Sequence, residues 1–154
     1  MEKTQVIQYQ ECKLEELNSD DSALLQRAIA ATATAYAPYS DFHVGAALLL
    51  SNGVVVTGSN QENVAYPSGM CAERTALFSA AVQYPDVAVK SIAIVARNPY
   101  GELVAASPCG ACRQVMAGQE SRQHEKMRVI CYFSTDKILI FEGIESLLPF
   151  VFSM

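Results

Sequence analysis

Cys71-Ala72-Glu73 and Pro108-Cys109-Gly110-Ala111-Cys112 each open a segment of helical character, and Cys109 stands 38 positions beyond Cys71. Two residues between Cys109 and Cys112 let both thiolates face one ion from a single turn. Cys71 supplies a third. Three soft ligands suit Zn²⁺, and a catalytic zinc typically takes three protein ligands and keeps its fourth position for water. Three thiolates leave such a centre with net negative charge, which needs compensation. Helix N-termini carry partial positive charge, and Arg74 and Arg113 each follow a key residue. Glu73 comes two residues after a ligand, so its carboxylate can lie beside the metal without binding it. That is the place for a group that shuttles a proton between water and a substrate.

Outward from these stretches, the chain reads as helices and strands in the order αββαβαββα. A helix is expected from Ser19 or Asp20, either of which can cap it, to about Tyr36. Leu24, Leu25, Ala28, Ile29 and Thr32 share one face, and Pro38 stops the helix. A shorter amphipathic segment, Lys13 to Leu17, precedes it. Val44–Leu50 and Val54–Thr57 form a hairpin around Asn52-Gly53, a strong turn signal. Asn60 to Gly69 is loop. Ala72–Val82 is a helix that buries Ala76, Leu77 and Ala80. Ile92–Ala96 is continuously apolar, as in a strand covered on both faces. Arg97–Pro108 is loop, a third helix begins near Cys109, and Arg128–Phe133 and Lys137–Phe141 are strands. A short helix at Ile144–Leu148 ends before Pro149. This order suggests one sheet sandwiched by helices, in a single domain spanning residues 1–154.

Composition narrows the partners. The chain has 154 residues, 51% of them hydrophobic and only 18% charged. Disorder is excluded, and self-association is expected to bury part of the surface. Lys and Arg total 11 against 16 Asp and Glu, a net charge of -5. An acidic chain suits neither a phosphate backbone nor an anionic membrane surface. No apolar run approaches the ~20 residues of a membrane span, and the N-terminus lacks the apolar core of a signal peptide. Five cysteines without an export signal point to the reducing cytosol.

At this point the sequence resembles the small, homotetrameric, zinc-dependent cytidine deaminases. The resemblance rests on Pro38-Tyr39-Ser40-Asp41-Phe42-His43-Val44-Gly45-Ala46-Ala47, Asn60-Gln61-Glu62-Asn63, Cys71-Ala72-Glu73-Arg74-Thr75-Ala76, Pro108-Cys109-Gly110-Ala111-Cys112-Arg113-Gln114 and the closing Leu147-Leu148-Pro149. Cys71, Glu73 and the Cys109/Cys112 pair also match the general signature of zinc nucleobase deaminases. The resemblance implies an α/β three-layer sandwich with a five-stranded mixed sheet between helices. It implies one zinc per subunit and a pyrimidine nucleoside as substrate. By the same resemblance Phe42 packs against the pyrimidine, Asn60 and Glu62 bond the ribose hydroxyls, and the Ala72 N–H meets the base carbonyl. Glu73 protonates the ring nitrogen and later the leaving amine, and Arg74 offsets thiolate charge. Tyr66 and Phe152 lie near a neighbouring subunit's site. The implied reaction converts cytidine and deoxycytidine to uridine and deoxyuridine with release of ammonia, in pyrimidine salvage.

Plainer readings stand beside these. A sugar hydroxyl is a good donor to the Glu62 carboxylate, but Asn60 and Glu62 without the motif are ordinary loop chemistry. Phe42 alone reads as core. His43 reads as structural or exposed, His124 as solvated, and Cys12 and Cys131 as buried or partly buried thiols. Arg113 either tunes the metal or holds an interface or carboxylate. Phe150-Val151-Phe152 packs on its own domain or between subunits. Two rival functions remain: deamination of a modified aminopyrimidine such as a blasticidin-type antibiotic, and a non-catalytic zinc-stabilised scaffold. The scaffold needs a fourth protein ligand, from His43, His124 or Cys131, and leaves Glu73 without a task.

Overall fold

Asn18 starts the first helix, α1 (Ser19–Ala31): its side chain accepts the Asp21 N–H at 2.8 Å. The computed structural model describes residues 1–154. The cap therefore falls one residue before the expected Ser19 or Asp20. The helix also stops earlier than Tyr36, passing into a 3₁₀ turn at Thr32–Thr34. Thr32 and Thr34 donate their hydroxyls to the carbonyls of Ile29 and Ala31, an alternative to the α ladder that threonine offers. Lys13–Leu17 contains only a single 3₁₀ turn, Leu14–Glu16. Ile144–Leu148 likewise closes to a 3₁₀ turn, Ile144–Ser146.

The sheet has seven strands: β1 (Gln10–Cys12), β2 (His43–Leu50), β3 (Val55–Ser59), β4 (Val89–Arg97), β5 (Leu103–Val104), β6 (Arg128–Ser134) and β7 (Lys137–Phe141). Its order is β1-β7-β6-β4-β2-β3, with β5 paired to β4. The expected five are β2, β3, β4, β6 and β7, with β3 at one edge. β1 and β5, of three and two residues, are too short to show any hydrophobic period in the sequence. The β4/β6 pair is parallel and the others are antiparallel, so the sheet is mixed as expected. The β2/β3 hairpin turns at Asn52-Gly53, with Gly53 at φ +84°.

β2, β3, β4, β6 and β7 each divide their apolar residues between two cores. On one face Ile92, Ile94, Val129, Cys131 and Leu48 pack with α2 (Ala72–Gln83) and α3 (Gly110–Gln123). On the other, Ala93, Val95, Ile130 and Tyr132 pack with Leu24, Leu25 and Ala28 of α1. This is the three-layer sandwich. Two glycines let the helices approach. A Cβ on Gly45 would lie 2.0 Å from the Ala28 carbonyl oxygen, and one on Gly58 would lie 2.5 Å from that of Ala72. Gly58 thus sets the depth at which the N-terminus of α2 rests on the sheet.

β4 pairs with β6 from Ser91 to Ile94, then with β5 at Ala96 and Arg97. The chain that follows stays close, with the Ala106 N–H donating to the Tyr132 carbonyl at 2.9 Å. β5 and its continuation therefore enter beside the carboxyl ends of the parallel pair. In open α/β sheets the crevice at such strand ends is where ligands bind.

Candidate active site

Cys71 is the N-cap residue of α2 and Cys109 that of α3. Cys112 follows in the first turn of α3. The three sulfurs lie within 4.8 Å of one another, and Cys71 Sγ and Cys109 Sγ are 3.9 Å apart. Zinc–sulfur bonds of about 2.3 Å in tetrahedral geometry place sulfurs about 3.8 Å apart, so the spacing fits zinc. The group comprises these three residues; His43, His124 and Cys131 stand outside it. No closed four-ligand site forms, which removes the basis of the scaffold reading.

The electrostatics favour thiolate at Cys71. The first backbone bond of α2 runs from the Thr75 N–H to the Cys71 carbonyl, so the N–H groups ahead of it have no partner within the helix. Arg74 donates from Nη2 to Cys71 Sγ at 3.2 Å. The Cys71 thiol is drawn down to about 5, by the approach of Cys112 and then by Arg74. Cys112, beside that thiolate and buried, is pushed up. Glu73 is buried, 4% exposed. Its carboxyl is pushed up to about 7, by burial first and then by the Cys71 charge. A carboxyl poised there can both take and return a proton near neutral pH.

The cluster opens on a cleft of about 900 Å³, of the size small-molecule sites have. Phe42, Asn60, Glu62, Tyr66, Ala72 and Glu73 all line it. Asn60, one residue past β3, clasps the start of β2: its Oδ1 accepts the Val44 N–H, and its Nδ2 donates to the Phe42 carbonyl, both at 2.8 Å. Glu62 accepts the N–H groups of Tyr39 and Ser40. Tyr66 packs edge-on against Tyr39, with ring centroids 5.8 Å apart, on the wall of this chain's own cleft. Phe152 is not brought there. It is exposed, and its backbone exchanges two hydrogen bonds with the Gln114 side chain.

Other residues take quieter places. Arg113 neither touches the sulfurs nor holds a carboxylate. Its Nε donates to the Pro108 carbonyl and its Nη1 to that of Leu147, each at 2.8 Å. It pins the loop that delivers Cys109. His43 begins β2 and meets Asp41, His124 is exposed at the C-terminus of α3, Cys131 is buried and Cys12 is half-buried. Ser40 lines the cleft and bonds Glu62, a contact that sequence reading did not assign. Its one signal was a serine two residues before Phe42, the spacing at which a hydroxyl can hold a backbone N–H.

Three thiols at two helix ends, a buried carboxylate beside them and an open cleft define a metal centre of the catalytic kind. The chain matches the family described as "Cytidine and deoxycytidylate deaminase zinc-binding region" over residues 18–127, which include all three thiols. It belongs to that family, and zinc is its cofactor. It is 46% identical over 99 residues to a cytidine deaminase of Halalkalibacterium halodurans, covering 64% of this chain and 70% of that protein. The crystal structure of cytidine deaminase from Burkholderia pseudomallei superposes with a TM-score of 0.73 at 37% identity, over 88% of this chain and 100% of that one. That of the Mycobacterium tuberculosis enzyme gives 0.69 at 31% identity, over 89% and 100%.

Proposed function

We propose that this protein is a zinc-dependent hydrolase that deaminates cytidine and deoxycytidine to uridine and deoxyuridine, releasing ammonia. The observation that carries the reading is the three-sulfur cluster with Glu73 buried beside it, at the floor of a cleft lined by Asn60 and Glu62. Cys71, Cys109 and Cys112 hold the zinc. When bound, zinc supplies the Lewis acidity that makes water nucleophilic near neutral pH.

The chain's own residues do the rest. Glu73 takes one proton from the attacking water and gives it to the ring nitrogen; it then takes the second, from the hydroxyl that now stands on the ring carbon, and gives it to the departing amine. The Ala72 N–H, free at the start of α2, holds the base carbonyl. Arg74 balances the thiolate charge. Phe42 packs against the pyrimidine, and Asn60 and Glu62 take the sugar hydroxyls. The cleft's only cation is Arg74, already bonded to Cys71. No other guanidinium or ammonium lines the cleft to meet a phosphate, which favours nucleosides over nucleotides.

The physiological role is pyrimidine salvage in the cytosol, in keeping with five unpaired thiols. No helix is long and apolar enough to cross a membrane. The working form is a homotetramer in which Tyr66 and Phe152 approach a neighbouring subunit's site. Exposed Phe78, Val82, Phe150 and Phe152 supply apolar surface for such contacts. Incubating zinc-replete protein with cytidine, and following the ultraviolet change to uridine, tests the activity. No conversion with zinc confirmed bound would overturn it. Sedimentation equilibrium tests the tetramer.

A further inference from the structure

Glu62 does not stand free in the cleft. Its Oε1 accepts the N–H groups of Tyr39 at 3.0 Å and Ser40 at 3.2 Å, and its Oε2 accepts the Ser40 hydroxyl at 2.6 Å. The same hydroxyl oxygen accepts the Phe42 N–H at 3.1 Å. A serine hydroxyl has one proton to give, and here it goes to Glu62. Phe42 is held from its other side by Asn60, whose Nδ2 donates to the Phe42 carbonyl at 2.8 Å. Between Ser40 and Phe42, Asp41 sits at φ 51°, a conformation that favours glycine and that aspartate tolerates only with local support.

A carboxylate oxygen accepts about two hydrogen bonds. Oε1 is filled by two N–H groups, so the acceptor position left for a ligand is on Oε2, beside the one that Ser40 occupies. The Ser40 hydroxyl therefore sets the direction of the free lone pair. The Glu62 carboxyl is also held below its ordinary range, by Ser40 first.

Resting on the deaminase reading, we propose that Ser40 is a positioning residue for sugar recognition. Its hydroxyl aims Glu62 at a sugar hydroxyl and, through the Phe42 N–H, ties that aim to the wall against which the base packs. A serine that merely supports the turn would make no distinction between ligands with and without sugar hydroxyls.

The test uses 2′,3′-dideoxycytidine, which lacks the ring hydroxyls, beside cytidine. Calorimetry is done on the zinc-loaded Glu73→Gln protein, where bound substrate is not consumed, with and without Ser40→Ala. Ser40→Ala is expected to weaken cytidine about five- to tenfold and dideoxycytidine by less than about twofold. In the otherwise native enzyme the same change should appear in KM for cytidine more than in kcat. Ser40→Thr, which keeps the hydroxyl, should restore most of the loss. Equal weakening of both ligands, or unchanged cytidine binding, would overturn the proposal. Should Ser40→Ala not fold, Ser40→Cys, with its poorer donor, must show the same split between the ligands. Wild-type conversion of cytidine is measured alongside, so failure of the deaminase reading is seen separately.

Discussion

Cys71 Sγ and Cys109 Sγ lie 3.9 Å apart although 38 residues separate them in the chain. Each caps a different helix, and only the packing of α2 and α3 on one sheet face brings them together. The pair is a metal site held by tertiary structure. Cys109→Ala should therefore lose zinc and activity together, as read by metal analysis of the purified protein and by cytidine turnover. Full zinc occupancy in that variant would show that the ligand set is wrong.

Glu73 is buried beside the sulfurs but is not one of the metal group. Glu73→Gln keeps its volume and removes its proton transfer. It should retain fold and zinc while kcat falls at least ~100-fold, the scale of general acid–base catalysis. Single-turnover kinetics with metal content measured on the same sample would check this.

Arg113 ties the Pro108 carbonyl to that of Leu147. Arg113→Ala frees the loop that carries Cys109 without removing a ligand. Zinc loss to a competing chelator should be faster than in wild type, with melting temperature lowered by a few degrees. A lysine, with one point of donation in place of a fork, should rescue this only in part.

Gly45 lies where any Cβ would meet the Ala28 carbonyl oxygen at 2.0 Å. Gly45→Ala must push α1 off β2, costing about 2–3 kcal/mol by the scale of overpacking. Urea unfolding should show the loss as a lower midpoint. Because α1 covers the face opposite the sulfurs, zinc should remain bound below the transition.

Glu120 accepts the N–H groups of Met127 and Ile144 at 2.7 and 3.1 Å. Burial pushes its carboxyl up despite those bonds. A carboxyl raised on folding favours the folded state below its unfolded value, and that contribution is lost as pH rises through the folded value. Glu120→Gln retains an acceptor without the charge. It should be at least as stable as wild type at neutral pH, and its stability should fall less as pH rises from 4 towards 7. Thermal unfolding across that range reads the difference.

Much of this was open to reading along the chain. The three thiols, Glu73 and the loop pair Asn60/Glu62 stood in short motifs whose spacing is local. The strands β4, β6 and β7 announced themselves by continuous or alternating apolar residues. β1 and β5 did not, because two or three residues carry no period. The end of α1 was misplaced because helix propensity does not register that Thr32 and Thr34 turn their hydroxyls back onto the preceding carbonyls. Tyr66 lines the cleft of its own chain.

Sequence alone determined which groups were available for chemistry, since ligand type and spacing within one turn are properties of a short segment. Their meeting was decided by tertiary structure. Gly58 lets α2 settle on the sheet, and β5 enters at the carboxyl ends of the β4/β6 pair. Arg113 was equally suited on paper to a metal or a carboxylate, and the fold gave it two backbone carbonyls. Ser40 became the link between Phe42 and Glu62 for the same reason. A side chain's donors are written in the sequence, but their partners are chosen by whatever the packed chain places within hydrogen-bond reach.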